Sequence, residues 1–139
     1  KFGMIPIQRE TGPTALREML REARQRLADN RQILVFPEGT RRPPKAPPDY
    51  KPGILMLYDQ LKMPCVPVAL NTGLFWPRRS LQRYPGTMVV EILEPIPAGL
   101  KRRDFAARLE TAIETASNRL CDEALSGPQS PPQPAPIAE

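Results

Sequence analysis

The chain has 139 residues, a length that suits a single domain with a buried core. Hydrophobic residues make up 40% and charged residues 25%, as in ordinary globular proteins, and no run of about 18 apolar residues is present that could span a membrane. The net charge of +5 is compatible with a well-solvated surface or with an anionic partner such as a phosphate ester, an acidic membrane or nucleic acid.

The first third of the chain contains two short apolar runs separated by an amphipathic segment. Residues 4–8 are apolar and end in charge, which predicts a strand. Residues 13–28 repeat apolar side chains at helical spacing between charged ones and begin with a proline suited to a first helical turn, which predicts a helix. Residues 32–36 are continuously apolar and are followed by proline, a pattern typical of a strand buried on both faces of a parallel sheet. A polar, proline-rich loop follows over residues 37–51.

The remainder of the chain predicts two more helices and two more strands. The helices cover residues 52–62 and the segment that begins at Asp104, and the strands cover residues 65–70 and 87–93. Strands and helices that alternate in this way predict an α/β fold, a βαβαβ mostly parallel sheet flanked by helices. In such sheets ligands bind at the carboxyl ends of the strands, where the loop after residue 36 begins.

The last fourteen residues differ from the rest in composition. They contain five of the 19 prolines and read as a polyproline-like segment that cannot supply a packed core. We therefore predict one domain over residues 1–125 and a Pro-rich disordered tail over residues 126–139.

The strand predicted at residues 32–36 runs into the loop through the sequence Phe-Pro-Glu-Gly-Thr-Arg, residues 36–41. Pro37 ends the strand sharply, and Gly39 lets an anion approach the main chain. Thr40 supplies a hydroxyl and Arg41 a fixed positive fork, while the Glu38 carboxylate can orient arginines or accept a hydrogen bond from a substrate hydroxyl. These residues favour a site for a phosphorylated polyol, and the alternative is a tight turn with a surface ion pair.

A second arginine, Arg9, ends the strand predicted at residues 4–8. A lone arginine at a strand end is usually solvated. In a parallel sheet, however, Arg9 and Arg41 open onto the same edge, where two guanidinium groups would bind one phosphate through charge-assisted hydrogen bonds. The sequence contains neither a P-loop nor a G-x-G-x-x-G motif, so a nucleotide-binding domain is not indicated.

Three segments together resemble sequence blocks of the glycerolipid acyltransferase family, in particular its 1-acylglycerol-3-phosphate acyltransferases. They are Gly3-x-x-x-Ile7-x-Arg9, residues 36–41, and Val66-Pro-Val-Ala69, and the block at residues 36–41 is the one most specific to the family. The resemblance covers residues 1 to about 95. It implies that Arg9, Glu38, Gly39 and Arg41 bind the glycerol phosphate of the acyl acceptor. It also implies transfer of a fatty acyl group from acyl-CoA or acyl-carrier protein to a lysophospholipid, with no metal or redox cofactor.

The resemblance is incomplete, because the family's first block, His-x-x-x-x-Asp, supplies the general base and this sequence has no histidine. We therefore expect the chain to be the C-terminal portion of an acyltransferase domain, incomplete at its N-terminus and inactive as it stands. Glycerol 3-phosphate and an amino-lipid lysolipid remain alternative acceptors. A non-catalytic anion- or lipid-binding module is the rival from another class. The few aromatic residues are not interleaved with basic ones, which argues against nucleic acid as a partner.

One further segment joins aromatic and basic residues. Leu74, Phe75 and Trp76 precede Arg78 and Arg79, and Arg83 follows, a composition that suits the headgroup layer of a membrane. We predict contact with an anionic membrane surface at its cytoplasmic face, either peripheral or with an anchor in the missing N-terminal part. The alternative is that Trp76 packs into the core beneath a loop.

Overall fold

The computed structural model describes residues 12–78, 80–128 and 130–132. The strand predicted at residues 4–8 lies outside the described residues, as do Arg9, Arg79 and most of the predicted tail. The statements below concern the described part of the chain.

Three helices confirm the sequence predictions: α1 (Gly12–Ala28), α2 (Pro52–Leu61) and α4 (Arg102–Ser126). A short α3 (Thr72–Phe75) was not expected. Helix α2 begins at Pro52, which lacks the N–H that a first helical turn leaves unpaired anyway. It ends at Lys62, whose left-handed backbone (φ 53°) turns its N–H back to the carbonyl of Tyr58.

The described sheet has two strands, β1 (Val68–Leu70) and β2 (Val90–Ile92), and they are antiparallel. The mostly parallel sheet predicted from the sequence is therefore not confirmed, since the described pair is antiparallel. The point where the chain returns is marked by Asn71, which follows β1 and is 2% exposed. Its side chain accepts a hydrogen bond from the Val89 N–H (2.8 Å), so the returning chain meets the end of β1 and runs backward along it.

The apolar segment 32–36 forms no ladder with another described strand, and only one of its faces is covered. Ile33 and Val35 pack against a cluster formed by α1 and α2. Leu34 and Phe36 point the other way and are 78% and 69% exposed. The prediction that this segment is buried on both faces is thus wrong in this structure.

The core lies between α2, α4 and one face of the sheet. Phe105 is fully buried and stacks on Tyr58, with ring centroids 3.6 Å apart and planes 2° from parallel. The Tyr58 hydroxyl accepts a hydrogen bond from the Leu100 N–H (3.1 Å) and donates to the Pro97 carbonyl, so the buried phenol is satisfied. Helix α4 also covers β1, since Ala116 and Leu120 of α4 pack against the fully buried Ala69.

Candidate functional site

The candidate site is the proline-rich loop that runs from Pro37 to Lys51. Gly39 has a positive φ of 65°, and its N–H donates to the carbonyl of Phe36 (3.0 Å), which makes the sharp turn after the apolar segment. The far end of the loop is closed by the Lys51 N–H, which donates to the Pro37 carbonyl (2.8 Å). The nearest atom to a Cβ at Gly39 would be Lys51 Cγ at 3.8 Å, so the backbone angle rather than a lack of space favours glycine there.

Glu38 and Arg42 connect the two sides of this loop. The Nε atom of Arg42 lies 3.4 Å from the Glu38 carboxylate, and its Nη1 lies 3.5 Å from that of Asp49. Arg42 also donates from Nη2 to the Pro47 carbonyl (2.9 Å), and the Asp49 N–H donates to Glu38 (3.4 Å). Arg42 therefore holds the loop together. The sequence analysis did not predict this role, and the only signal for it was the spacing of four residues between Glu38 and Arg42.

The electrostatic state of Glu38 follows from its partial burial. Its side chain is 24% exposed, and burial raises the pKa of Glu38 above the ordinary value of 4.5. The Asp49 N–H and the Arg42 guanidinium both oppose this shift in pKa without cancelling it. Glu38 is thus a shielded carboxyl that is already engaged by its own loop.

Two side chains fasten the loop to α4. The Tyr50 hydroxyl donates to the Glu114 carboxylate (2.9 Å), and Lys45 forms an ion pair with Asp122. Burial, followed by the Glu114 hydrogen bond, raises the pKa of Tyr50, so this phenol stays neutral. The loop is a fixed platform rather than a free surface segment.

Arg41 differs from the other cations of the loop. Arg42, Lys45 and Lys51 each form an ion pair with a carboxylate. Arg41 is exposed and forms no ion pair with any residue that the structure describes. Its guanidinium instead lies over the ring of Trp76, 5.8 Å from the centroid. The charge of Arg41 is therefore held in place without being neutralised.

Trp76 also receives Arg83, whose guanidinium carbon lies 3.9 Å from the centroid of the same ring. Arg83 is anchored by its Nη1 atom, which donates to the carbonyls of Ser80 and Gln82 (2.9 Å each). One ring thus brings together two guanidinium groups from loops that are far apart in the sequence. The sequence places Arg83 among the arginines expected to face a membrane rather than at this site, and the only signal for the contact was its proximity to the single tryptophan.

Four of the five residues predicted to bind the substrate lie in the described part of the chain. Glu38, Gly39, Thr40 and Arg41 share the turn after Phe36, and both Gly39 and Thr40 are exposed there. The Glu38 carboxylate is paired with Arg42 rather than with Arg41. Arg9 lies outside the described residues, so its expected approach to Arg41 stays a prediction.

The segment predicted to contact a membrane is only partly on the surface. Leu74 and Phe75 are 3% and 4% exposed because they pack with Cys121 of α4, which corrects their assignment as lipid-facing side chains. Trp76 is 48% exposed, and Arg78 is exposed as well. The most exposed apolar side chain of this region is Leu81, at 97%, which the sequence prediction missed.

The sequence profile described as Acyltransferase matches residues 1–71, half of the chain, and includes the whole turn that carries Glu38 and Arg41. The chain belongs to the acyltransferase family. This result confirms the resemblance found in the sequence.

Individual relatives of this chain carry a more specific name. A 1-acyl-sn-glycerol-3-phosphate acyltransferase of Pseudomonas aeruginosa is 33% identical over 88 residues, which cover 63% of this chain and 34% of the relative. The human 1-acyl-sn-glycerol-3-phosphate acyltransferase beta is 30% identical over 111 residues, covering 78% and 40% respectively. A Cocos nucifera protein of the same name is 33% identical over 88 residues, covering 62% and 29%. The chain thus spans well under half the length of these relatives.

No solved structure gives a significant match to the chain. Among the described residues, no helix combines the length and the apolar character needed to cross a membrane.

Proposed function

We propose that this chain is the acceptor-binding part of an acyltransferase that moves a fatty acyl group from a thioester of CoA or acyl-carrier protein to the free hydroxyl of a lysophosphatidate. In this proposal the turn of residues 38–41 binds the glycerol phosphate of the acceptor. Family membership and the names of the relatives support the reaction class and the acceptor.

The observation that carries the proposal is the partition of charge in the loop. Its other cations are neutralised by carboxylates, whereas the Arg41 guanidinium has no anionic partner among the described residues and keeps its N–H donors for a ligand. A phosphate monoester offers several acceptor oxygens and a charge that a guanidinium fork matches in geometry. Arg41 is therefore the cation of this loop that we assign to the acceptor phosphate.

The surrounding groups suit a polyol phosphate rather than a bare anion. Thr40 is exposed beside Arg41 and can donate to or accept from a glycerol oxygen. Glu38 is held by Arg42 and by the Asp49 N–H, so it fixes the shape of the turn. A rigid turn reduces the ordering cost of binding, which raises affinity for a small ligand.

The test is calorimetric titration of the chain with glycerol 3-phosphate and with glycerol. We expect saturable binding of the phosphate compound and none of glycerol. Arg41→Gln should weaken binding roughly 10- to 160-fold, since loss of a charged hydrogen-bonding partner costs roughly 1.5–3 kcal/mol. Arg108→Gln is the matched control, because Arg108 is an exposed arginine of α4 outside the loop. Equal affinity in the wild-type and Arg41→Gln chains would contradict the assignment.

We also propose that the loop after α3 touches an anionic membrane surface, which would bring the acceptor's phosphate to the site while its acyl chain stays in the bilayer. Three exposed side chains support this contact: Trp76, Arg78 and Leu81. An almost fully exposed leucine beside arginines matches the amphipathic composition of interfacial segments.

Vesicle co-sedimentation tests the membrane contact. Binding should require anionic lipid and fall with added salt, because exposed charges are screened. Leu81→Ser should reduce binding without altering the fold, since the side chain is 97% exposed. Leu34→Ser changes an equally apolar, 78% exposed residue outside this loop and serves as the control. Equal loss of binding in both variants would show that the loop has no special part.

A further inference from the structure

Trp76 holds two cations that no described carboxylate neutralises. The Arg83 guanidinium lies 3.9 Å from its ring centroid and that of Arg41 lies 5.8 Å away, both within the range of a cation–π contact. Neither arginine forms an ion pair with a described residue. Two like charges beside one ring repel each other, and an anion bound between them would relieve that repulsion.

We infer that Arg83 is a second contact for the acceptor phosphate, and that Trp76 is the positioning residue that holds Arg41 and Arg83 toward one phosphate monoester. This inference rests on the proposed function, because it uses the same acceptor site. Both guanidinium groups lie within 5.8 Å of the same ring centroid. Side-chain movements from these positions would let one phosphate, which presents several oxygens, accept hydrogen bonds from both.

The local structure suits this task. Arg83 uses its Nη1 atom to bind the Ser80 and Gln82 carbonyls, which leaves the other side of the guanidinium for a ligand. The Trp76 main chain is fixed independently of its ring, since its N–H donates to the Thr72 carbonyl (2.9 Å) at the end of α3. Changing the ring therefore tests positioning without dismantling the helix end.

Arg78 shows that the arrangement is selective. It is exposed in the same loop, two residues after Trp76, but makes no cation–π contact with the ring. The two arginines on the ring come from different loops, so the pairing arises from the fold and not from a local run of basic residues.

The test uses the only tryptophan of the chain as its own reporter. Glycerol 3-phosphate should change the fluorescence of Trp76 saturably. Neither glycerol nor sodium chloride, added to the same ionic strength as the glycerol 3-phosphate, should do so. Arg83→Gln should weaken this binding about tenfold, as expected for a charged hydrogen-bonding contact, while Arg108→Gln should leave it unchanged.

Calorimetry with ring variants tests the positioning role. Trp76→Leu should weaken binding of glycerol 3-phosphate roughly two- to fivefold, the worth of an exposed cation–π contact. Trp76→Phe should restore most of the affinity, because phenylalanine keeps a ring face for the cations while leucine keeps only apolar bulk. A purely structural role for the side chain would give no such difference between the two variants.

The outcomes separate the two proposals. If the wild-type chain does not bind glycerol 3-phosphate, both the acceptor site and this inference are overturned. If Arg41→Gln weakens binding but Arg83→Gln and Trp76→Leu do not, the acceptor site stands and this inference is overturned. A fluorescence response to phosphatidylglycerol vesicles without one to glycerol 3-phosphate would assign the two arginines to a membrane surface and would also overturn it.

Discussion

The Nε atom of Arg42 lies 3.4 Å from the carboxylate of Glu38, while the side chain of the preceding Arg41 turns away to Trp76. Two consecutive arginines therefore have different roles. One neutralises a shielded carboxyl and closes the loop, and the other stays charged at the surface.

The first prediction concerns pH and Glu38. Because burial raises its pKa above 4.5, the folded chain retains this proton at pH values at which the unfolded chain has lost it. Ionisation of Glu38 therefore lowers the free energy of unfolding as the pH rises from about 4.5 through the raised pKa, and has no effect well below that window. The free energy of unfolding of wild type minus that of Glu38→Gln, measured by urea denaturation, should fall across this window. A rise would mean that the Arg42 ion pair outweighs burial.

The second prediction compares two glycines. Gly39→Ala should lower the free energy of unfolding by about 1 kcal/mol, because a φ of 65° is unfavourable for any residue with a Cβ. Gly53→Ala should raise it by up to about 1 kcal/mol, since Gly53 lies within α2 and a Cβ there would meet no atom within 4 Å. Denaturant unfolding of both variants checks the opposite signs. If both variants changed the free energy of unfolding in the same direction and by the same amount, the turn would not require a residue with left-handed backbone angles at position 39.

The third prediction concerns the stacked pair in the core. Phe105→Ala should lower the free energy of unfolding by about 3–5 kcal/mol, because it removes a fully buried ring and leaves Tyr58 facing a cavity. Phe36→Ala removes the same side chain at a site that is 69% exposed and should cost less than about 1 kcal/mol. If the two variants were destabilised equally in thermal unfolding, Phe36 would be buried in solution by a partner or a further segment.

The fourth prediction is that this chain does not turn over acyl-CoA and lysophosphatidate. An aliphatic alcohol is a poor nucleophile at neutral pH, and general-base help is worth about 10²–10⁴ in rate. The chain has no histidine, and Glu38 is already engaged by Arg42. Release of the CoA thiol should stay at background here and appear in a longer protein that joins a His-x-x-x-x-Asp segment to this chain. Comparable turnover by both would place the catalytic base among the residues of this chain.

The sequence by itself determined three of the four described helices, α1, α2 and α4, and the chemistry of one loop. Apolar spacing over residues 13–28 predicted α1 because a helix repeats its buried side chains every three to four residues, whatever it packs against. Residues 36–41 carried the resemblance to the family, and the family profile matches this part of the chain. The proline that ends the apolar segment, the glycine turn and the arginine are all encoded within a few consecutive residues. Local patterns report local geometry.

Only the tertiary structure decided which distant groups meet. Apolar runs at residues 65–70 and 87–93 predicted strands of a mostly parallel sheet, whereas the structure pairs their central residues antiparallel, with the Asn71 side chain accepting a hydrogen bond from the returning chain. Likewise, nothing in the spacing of Arg41 and Arg83 places both on one ring. Strand direction and side-chain partners depend on where the intervening chain returns, and that path is set by the packing of the whole core rather than by any one segment.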